Sequence, residues 1–230
     1  MKYKSQIIAA GSGSVAGCVF SRNRYGPYVR NRSLPINPNS AAQQNIRSIF
    51  SQLATAWNVD LDAGERAAWD AYAAVVPRIN SLGDPIFTTG LNWYIAMNTP
   101  RVQLTEPRID AAPILLNMTG FGPAAVTIAD TSAQTLTISF DPADEWNADD
   151  GFVMIGASRG LNESINFFKG PFRFAGFLAG NTAVPLTSPQ VIPSVPFPFG
   201  LGQRLFARMM AMAPDGRIST PQIVSRISVA

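Results

Sequence analysis

The sequence RLFARMMAMAPDGRISTPQIVSRISV, residues 204–229, has the pattern of two β-strands joined by a turn. Its last part alternates apolar residues with polar or small ones, which is the period-two pattern of a half-buried strand. The Pro-Asp-Gly sequence at residues 214–216 is a turn signal, since glycine adopts backbone conformations that other residues avoid. The stretch therefore predicts an antiparallel pair in which Ile223, Ser225, Ile227 and Val229 share one face of the second strand.

The same alternation extends back to about residue 111. The alternating residues are Val126, Ile128, Leu136, Ile138, Phe140, Val153 and Ile155. Several short strands at this spacing predict an antiparallel β-sandwich over residues 111–230. Within it, residues 184–200 hold five prolines among Val, Ile and Phe, which predicts a stiff apolar loop that covers one end of the sandwich or contacts a neighbouring molecule.

Residues 40–110 have helical periodicity instead. Ser40 and Gln43 predict a capping box, and the apolar stripe that follows consists of Ile46, Ile49, Phe50, Leu53 and Trp57. A second helix is predicted from near Asp62 to Pro77. Its apolar face consists of Trp69, Tyr72, Ala73 and Val76. A third helix is predicted over residues 91–98, ended by Pro100, and Trp57, Trp69 and Trp93 are expected to share one core.

Residues 1–39 are predicted to form an extended basic arm with a hairpin. Its arginines are Arg22, Arg24, Arg30 and Arg32, and the GSGS sequence at residues 11–14 predicts flexibility. If the two short segments on either side of Tyr-Gly-Pro form a β-hairpin, Arg22 and Arg24 lie on one face of the first strand, and Arg30 and Arg32 lie on one face of the second strand. The register of the hairpin decides whether these two faces are on the same side of the sheet. Arginine cannot lose its charge, so the cluster needs water or an anion. A solvated basic edge strand that discourages aggregation is the alternative interpretation.

Charge and composition narrow the function classes. Residues 1–59 hold seven basic residues and no Asp or Glu, whereas residues 60–230 hold eleven basic and fifteen acidic residues. This asymmetry favours association between copies or binding of a polyanion. The chain has no histidine and one cysteine, which excludes an intrachain disulfide and a cysteine-type zinc site and removes the commonest general base. No apolar run reaches the roughly 18 residues of a membrane span, and the apolar run at residues 7–10 is too short for a signal peptide.

Few residue patterns suggest chemistry. Asp141, Asp144, Glu145, Asp149 and Asp150 offer oxygen ligands, but their spacing does not follow a calcium loop. We expect a solvated loop there; a calcium site and a glycosidase-type carboxylate pair are the weaker alternatives. The glycines of residues 11–17 resemble a dinucleotide-binding fingerprint, but no predicted strand precedes them and no βαβ unit follows, so we exclude such a site. The serine between the glycines of residues 156–160 resembles a nucleophile elbow, but the chain has no histidine that could complete a catalytic triad. Cys18 is predicted to be a small buried residue. No catalytic residue, metal ligand or cofactor is predicted, and we expect no enzyme.

Three short motifs carry a resemblance to known proteins. They are FSRNRYGPYVR at residues 20–30, PINPNSAAQ at residues 35–43, and Trp57 with the Ala-Trp pair at residues 68–69. Over about residues 10–75 the chain resembles small bacteriophage and prophage proteins of undefined function. Residues 112–230, including the DGRIS turn of residues 215–219, resemble a fibronectin type III or immunoglobulin-like sandwich. The resemblance implies a virion component and carries no catalytic residues.

Two function classes follow from these observations. The first is a non-enzymatic structural component of a phage particle, such as a head decoration, head fibre, or tail or connector accessory. Its expected partners are other copies and other virion proteins, with no membrane and no small-molecule substrate, and its expected location is the virion after synthesis in the host cytoplasm. The expected interface residues are Phe20, Arg22, Arg24, Tyr25, Tyr28, Arg30 and Arg32. The alternatives are a nucleic-acid-binding module that uses the arm and a host-surface-binding protein that uses the sandwich.

Overall fold

The structure is a computed structural model that describes residues 12–24, 26–33, 37–79, 84–116, 122 and 124–230. The chain forms two compact units, Met1–Gln44 and Asn45–Ala230. The three predicted domains, residues 1–39, 40–110 and 111–230, stay a prediction. Each unit is described separately below.

The first unit contains a three-stranded antiparallel sheet in the order β1-β2-β3. Its strands are β1 (Gly13–Val15), β2 (Cys18–Asn23) and β3 (Gly26–Asn31). Val15 pairs with Cys18 across a two-residue loop, in which Ala16 adopts a φ of 50°. Tight hairpin loops require such left-handed residues. The expectation that residues 11–14 serve as a flexible segment is therefore wrong for Gly13 and Ser14, because both belong to β1 and pair with Phe20 and Val19 of β2.

In the sequence, three helices formed by described residues follow the arm: α1 (Ala41–Val59), α2 (Ala63–Val75) and α3 (Gly90–Gln103). Two short strands, β4 (Arg78–Ile79) and β5 (Pro85–Ile86), pair between α2 and α3. The predicted capping box of Ser40 and Gln43 is confirmed: Gln43 N–H donates to Ser40 Oγ at 3.4 Å, and Ser40 N–H donates to Gln43 Oε1 at 3.3 Å. The structure adds a second capping box at the start of α2, where Glu65 N–H donates to Asp62 Oδ1 at 2.7 Å.

The predicted end of α3 is wrong, because the helix continues through Pro100 to Gln103. Pro100 cannot donate a backbone hydrogen bond, which usually ends or kinks a helix. Here the next residue, Arg101, is buried and anchors the last turn through its side chain. Its Nε donates to the carbonyl of Pro107 at 2.6 Å and its Nη1 to the carbonyl of Asp150 at 2.8 Å. These tertiary contacts outweigh the local effect of the proline.

The helical core is built around a row of five aromatic rings. Trp57 contacts Tyr94, Tyr94 contacts Trp69, Trp69 contacts Tyr72, and Tyr72 contacts Trp93, with ring centroids 5.5 to 6.2 Å apart. The three tryptophans thus belong to one core, as expected, but two tyrosines connect them. Trp69 is fully buried, and its Nε1–H donates to the carbonyl of Asp110 at 2.7 Å.

The predicted stripe of α1 is wrong at two positions. Ile49, Leu53 and Trp57 are buried, whereas Ile46 is 42% exposed and Phe50 is 55% exposed. The apolar surface on α1 is wider than the core that it covers within the chain. The helical spacing identified the apolar face of α1, but it could not show how much of this face packs against other residues of the chain.

The second half of the chain is an antiparallel β-sandwich, which confirms the predicted α+β fold class. Its strands are β6 (Ala125–Asp130), β7 (Thr135–Ser139), β8 (Phe152–Ala157), β9 (Arg173–Ala179), β10 (Gln190–Ile192), β11 (Arg204–Met212) and β12 (Gln222–Ile227). One sheet has the order β10-β7-β6 and the other the order β12-β11-β8-β9. The proline-rich segment supplies β10 and the buried side chains of Ile192 and Phe199, so it is part of the sandwich.

One predicted strand face differs from the structure, and the predicted common face of Ile223, Ser225 and Ile227 lies on the outside. Val126 is buried, but the register shifts between Val126 and Ile128, and Ile128 is 47% exposed while Ala129 is buried. A bulge of this kind changes the face on which later residues lie. In β12, Val224 packs against the core and Ile223 is exposed. The apolar face of β12 therefore points away from the sandwich core.

Candidate interaction site

The register of the arm hairpin settles how its arginines are arranged. Arg22 pairs with Pro27, and Arg30 pairs with Val19. Directly paired residues share a face and neighbouring residues alternate between faces. Because Val19 and Arg22 are three positions apart in β2, they lie on opposite faces, and Arg22 and Arg30 do so as well. The hairpin therefore presents positive charge on both sides.

The predicted interface residues differ in exposure. Arg22 and Arg30 lie in the strands, Arg24 in the turn after β2, and Arg32 just after β3, and all four are exposed. Phe20 in β2 and Tyr28 in β3 are half-buried. Tyr25 lies outside the described residues. Arg101, Arg108 and Arg217, all of the second unit, form ion pairs with described carboxylates. No described carboxylate pairs with an arm arginine.

The arm sheet lacks a core of its own. Of the described residues in the first unit, none is buried. Of its apolar residues, Cys18, Val19, Phe20 and Val29 are only half-buried, and Val15 is 66% exposed. Cys18 is therefore not the fully buried residue that its sequence context suggested. A small sheet needs a packed face to be stable in water, so the sheet in isolation leaves apolar surface to be covered.

The acidic residues of residues 141–150 have separate roles. Asp144 accepts hydrogen bonds from Gly122 N–H and Trp146 Nε1–H, Glu145 pairs with the buried Arg217, and Asp149 accepts from Thr182 N–H. Burial raises the pKa of Asp144 more than its hydrogen bonds lower it. Within the described part of the chain, no cluster of three or more potential ligands could hold a metal ion. The expectation that these acids are merely solvated is wrong, because three of them hold loops in place.

Other carboxylates of the second unit also have contacts within the chain. Arg108 pairs with Asp60 at 2.8 Å and with Asp110 at 2.6 Å. Burial alone would lower the pKa of Arg217, but hydrogen bonds and charge from Asp215 and Glu145 raise it. An arm that docks on another copy would therefore find many carboxylates already occupied.

The Gly-flanked serine lacks the exposure of a nucleophile. Ser158 is fully buried, its Oγ donates to the carbonyl of Arg159 at 2.8 Å, and the same oxygen accepts from Phe206 N–H at 3.0 Å. Ser158 thus ties β8 to β11 where the two strands separate. The structure gives this residue a structural role.

Sequence reasoning did not identify a cleft in the second unit where Arg78, Trp93 and Arg208 come together. These residues belong to β4, α3 and β11, so they are far apart in the sequence. The sequence gives little indication of this site, because a single arginine in a predicted strand is common and does not by itself indicate a binding site. The pairing of Arg78 with an aromatic ring becomes visible only in the folded chain.

Comparisons with known proteins add little. No protein-family model matches the sequence, and no curated protein matches it. Among solved structures, the chain is similar to the twitchin kinase region from C. elegans (Fn31-NL-kin-CRD-Ig26), at 13% identity and a TM-score of 0.28. The similarity covers 48% of this chain and 17% of that chain, and at this level it supports no conclusion on function. Among the described residues, no helix is long and apolar enough to cross a membrane.

Proposed function

We propose that this protein is a non-enzymatic structural component of a bacteriophage particle and that it assembles through its N-terminal arm. The observation that carries the proposal is an arm sheet without a buried residue and with exposed arginines on both faces. Such a segment gains stability when another surface covers it. Assignment to a phage particle rests on the resemblance of the FSRNRYGPYVR and PINPNSAAQ motifs.

The arm offers two means of attachment. Its outer strands, β1 and β3, can extend a sheet of a neighbouring copy by backbone hydrogen bonding. Its arginines can form bidentate pairs with carboxylates or bind carbonyls, which fixes geometry as well as charge. Ile46 and Phe50 on α1 are a further uncovered apolar surface that assembly would bury.

The sandwich fits an immunoglobulin-like or fibronectin type III domain. Seven strands divide into sheets of three and four, in the orders β10-β7-β6 and β12-β11-β8-β9. This division is typical of such domains, which often serve as spacers or binding modules on surfaces. A head decoration, a head fibre, and a tail or connector accessory are all consistent with this architecture.

Replacing all four arm arginines tests the assembly. Sedimentation velocity and negative-stain microscopy would compare the wild type with two variants in which Arg22, Arg24, Arg30 and Arg32 become Gln or Lys. We expect multimers from the wild type, monomers from the Gln variant, and weakened assembly from the Lys variant, because lysine lacks the guanidinium fork. Unchanged circular dichroism would show that both variants fold. A monomeric wild type, or a Gln variant that assembles normally, would contradict the proposal.

Nucleic-acid binding is the second candidate, and the two-sided exposure of the arm arginines favours it. Fluorescence anisotropy with a single-stranded oligonucleotide at several salt concentrations measures the number of phosphates contacted. Four contacts predict a slope of log K against log salt of about −3. In this case the Lys variant binds like the wild type, since charge alone suffices. Multimers without oligonucleotide affinity would exclude this candidate.

A further inference from the structure

The second unit contains a cleft between its helical region and the outer face of the four-stranded sheet. The cleft has a volume of about 720 Å³, which is within the range of sites that bind small ligands and short peptides. Its apolar lining includes Val76, Trp93, Ala96, Leu116, Met210 and Ile218. Leu116 is 45% exposed, so part of this apolar surface is uncovered.

Two arginines in the cleft have no acidic partner among the described residues. The guanidinium of Arg78 lies 4.6 Å from the centroid of the Trp93 ring, and burial lowers the pKa of Arg78. Arg208 projects from the outer face of β11, because Ala207 and Met209 on either side pack into the core. Arg217 also lines the cleft, but Asp215 and Glu145 already pair with it. A half-buried, unpaired guanidinium has lost solvation that an anion could replace.

The apolar surface continues from the cleft across the sheet. Along the sheet, Arg208 is opposite Gly156 and Gly156 is opposite Phe174, while Met210 is opposite Met154. Because Gly156 has no side chain, a hollow of about 140 Å³ forms in this row. Arg208 and Met210 line both the cleft and the hollow. Among the residues that the structure describes, no Asp or Glu lines either one.

We infer that this cleft and hollow form a second docking site, which binds an extended acidic segment of another protein. Carboxylates of that segment pair with Arg78 and Arg208, and its apolar side chains lie against Trp93 and Met210 and in the hollow at Gly156. Charge complementarity identifies the occupant. The arm of a second copy is excluded as occupant because residues 1–59 have seven basic residues and no acid.

Isothermal titration with a pooled library of blocked tetrapeptides tests this inference. The library has Asp at both ends and Leu, Ile, Phe or Trp between, and a matched library has Lys at both ends. We expect the acidic library to bind and the Arg78→Gln/Arg208→Gln variant to weaken binding about tenfold or more. The matched control is Arg226→Gln, an exposed arginine of the same sheet that is paired with the inward-facing Leu205. It should bind like the wild type.

Indole N–H signals in nuclear magnetic resonance spectra give an independent readout. The acidic library should shift the signal of Trp93 and leave that of Trp146 unchanged, because Trp146 is fully buried in the sandwich. Arg208 is exposed, so the single Arg208→Gln variant should fold even if the double variant does not. Absence of binding, equal binding of the Lys library, or unchanged affinity of Arg208→Gln would overturn the inference.

Discussion

Arg22 and Arg30 lie on opposite faces of one hairpin, since Arg22 pairs with Pro27 and Arg30 with Val19. If only one face of the arm docked, one of these residues would remain in water. An arm held between two surfaces would use both. Single substitutions of Arg22 and Arg30 can therefore show whether one face or both faces of the arm contact a partner.

We expect Arg22→Gln and Arg30→Gln each to weaken assembly. Truncating one partner of a desolvated charge pair at an interface costs about 2 to 5 kcal/mol. Sedimentation velocity over a concentration series would measure the shift in the association midpoint for each variant. If one variant assembles like the wild type and the other does not, the arm docks through a single face.

Trp69→Ala should strongly destabilise the second unit, whereas Phe50→Ala should not. Trp69 is fully buried between Tyr72 and Tyr94, so its removal leaves a large cavity and should cost about 3 to 5 kcal/mol. Phe50 is 55% exposed in a single copy, so in the four-Gln arm variant, which we expect to be monomeric, its loss should change the free energy of unfolding by no more than about 0.5 kcal/mol. Urea unfolding followed by circular dichroism measures both. Equal effects would show that Phe50 is covered in solution.

Millimolar calcium should leave the melting temperature unchanged. Only a ligand that prefers the folded state stabilises it, and the acids of residues 141–150 are held in separate hydrogen bonds and ion pairs. Differential scanning calorimetry with calcium, magnesium and chelator gives the comparison. A rise of several degrees that only calcium produces, and that chelator reverses, would establish a calcium site.

The free energy of unfolding of the Asp144→Asn variant should increase relative to that of the wild type as the pH rises above 3.8. Burial raises the pKa of Asp144 above this ordinary value, so the folded state holds the proton more tightly than the unfolded state. The unfolded state loses the proton first as pH rises, and the wild type loses stability between 3.8 and the raised pKa. Asn cannot titrate and lacks this loss. Urea unfolding of both proteins from pH 3 to pH 7 measures the difference, and a difference independent of pH would contradict the assignment.

Local sequence patterns predicted the structural features that depend only on residues close together in the sequence. The capping box of Ser40 with Gln43 is an example, because its hydrogen bonds join residues three positions apart. Alternation also predicted that residues 111–230 form a sandwich. Helical spacing likewise placed Trp69 and Tyr72 on a buried face.

Features that depend on distant partners required the tertiary structure. Alternation shows that two faces of a strand differ, but only pairing with β11 places Val224 inside and Ile223 outside. α3 continues beyond Pro100 because the side chain of Arg101 donates hydrogen bonds to the backbone carbonyls of Pro107 and Asp150. Arg78 and Arg208 line one cleft although β4 and β11 lie far apart in the sequence. The sequence by itself determined local hydrogen bonding and the apolar pattern, while packing between remote segments decided which apolar and charged groups stay uncovered.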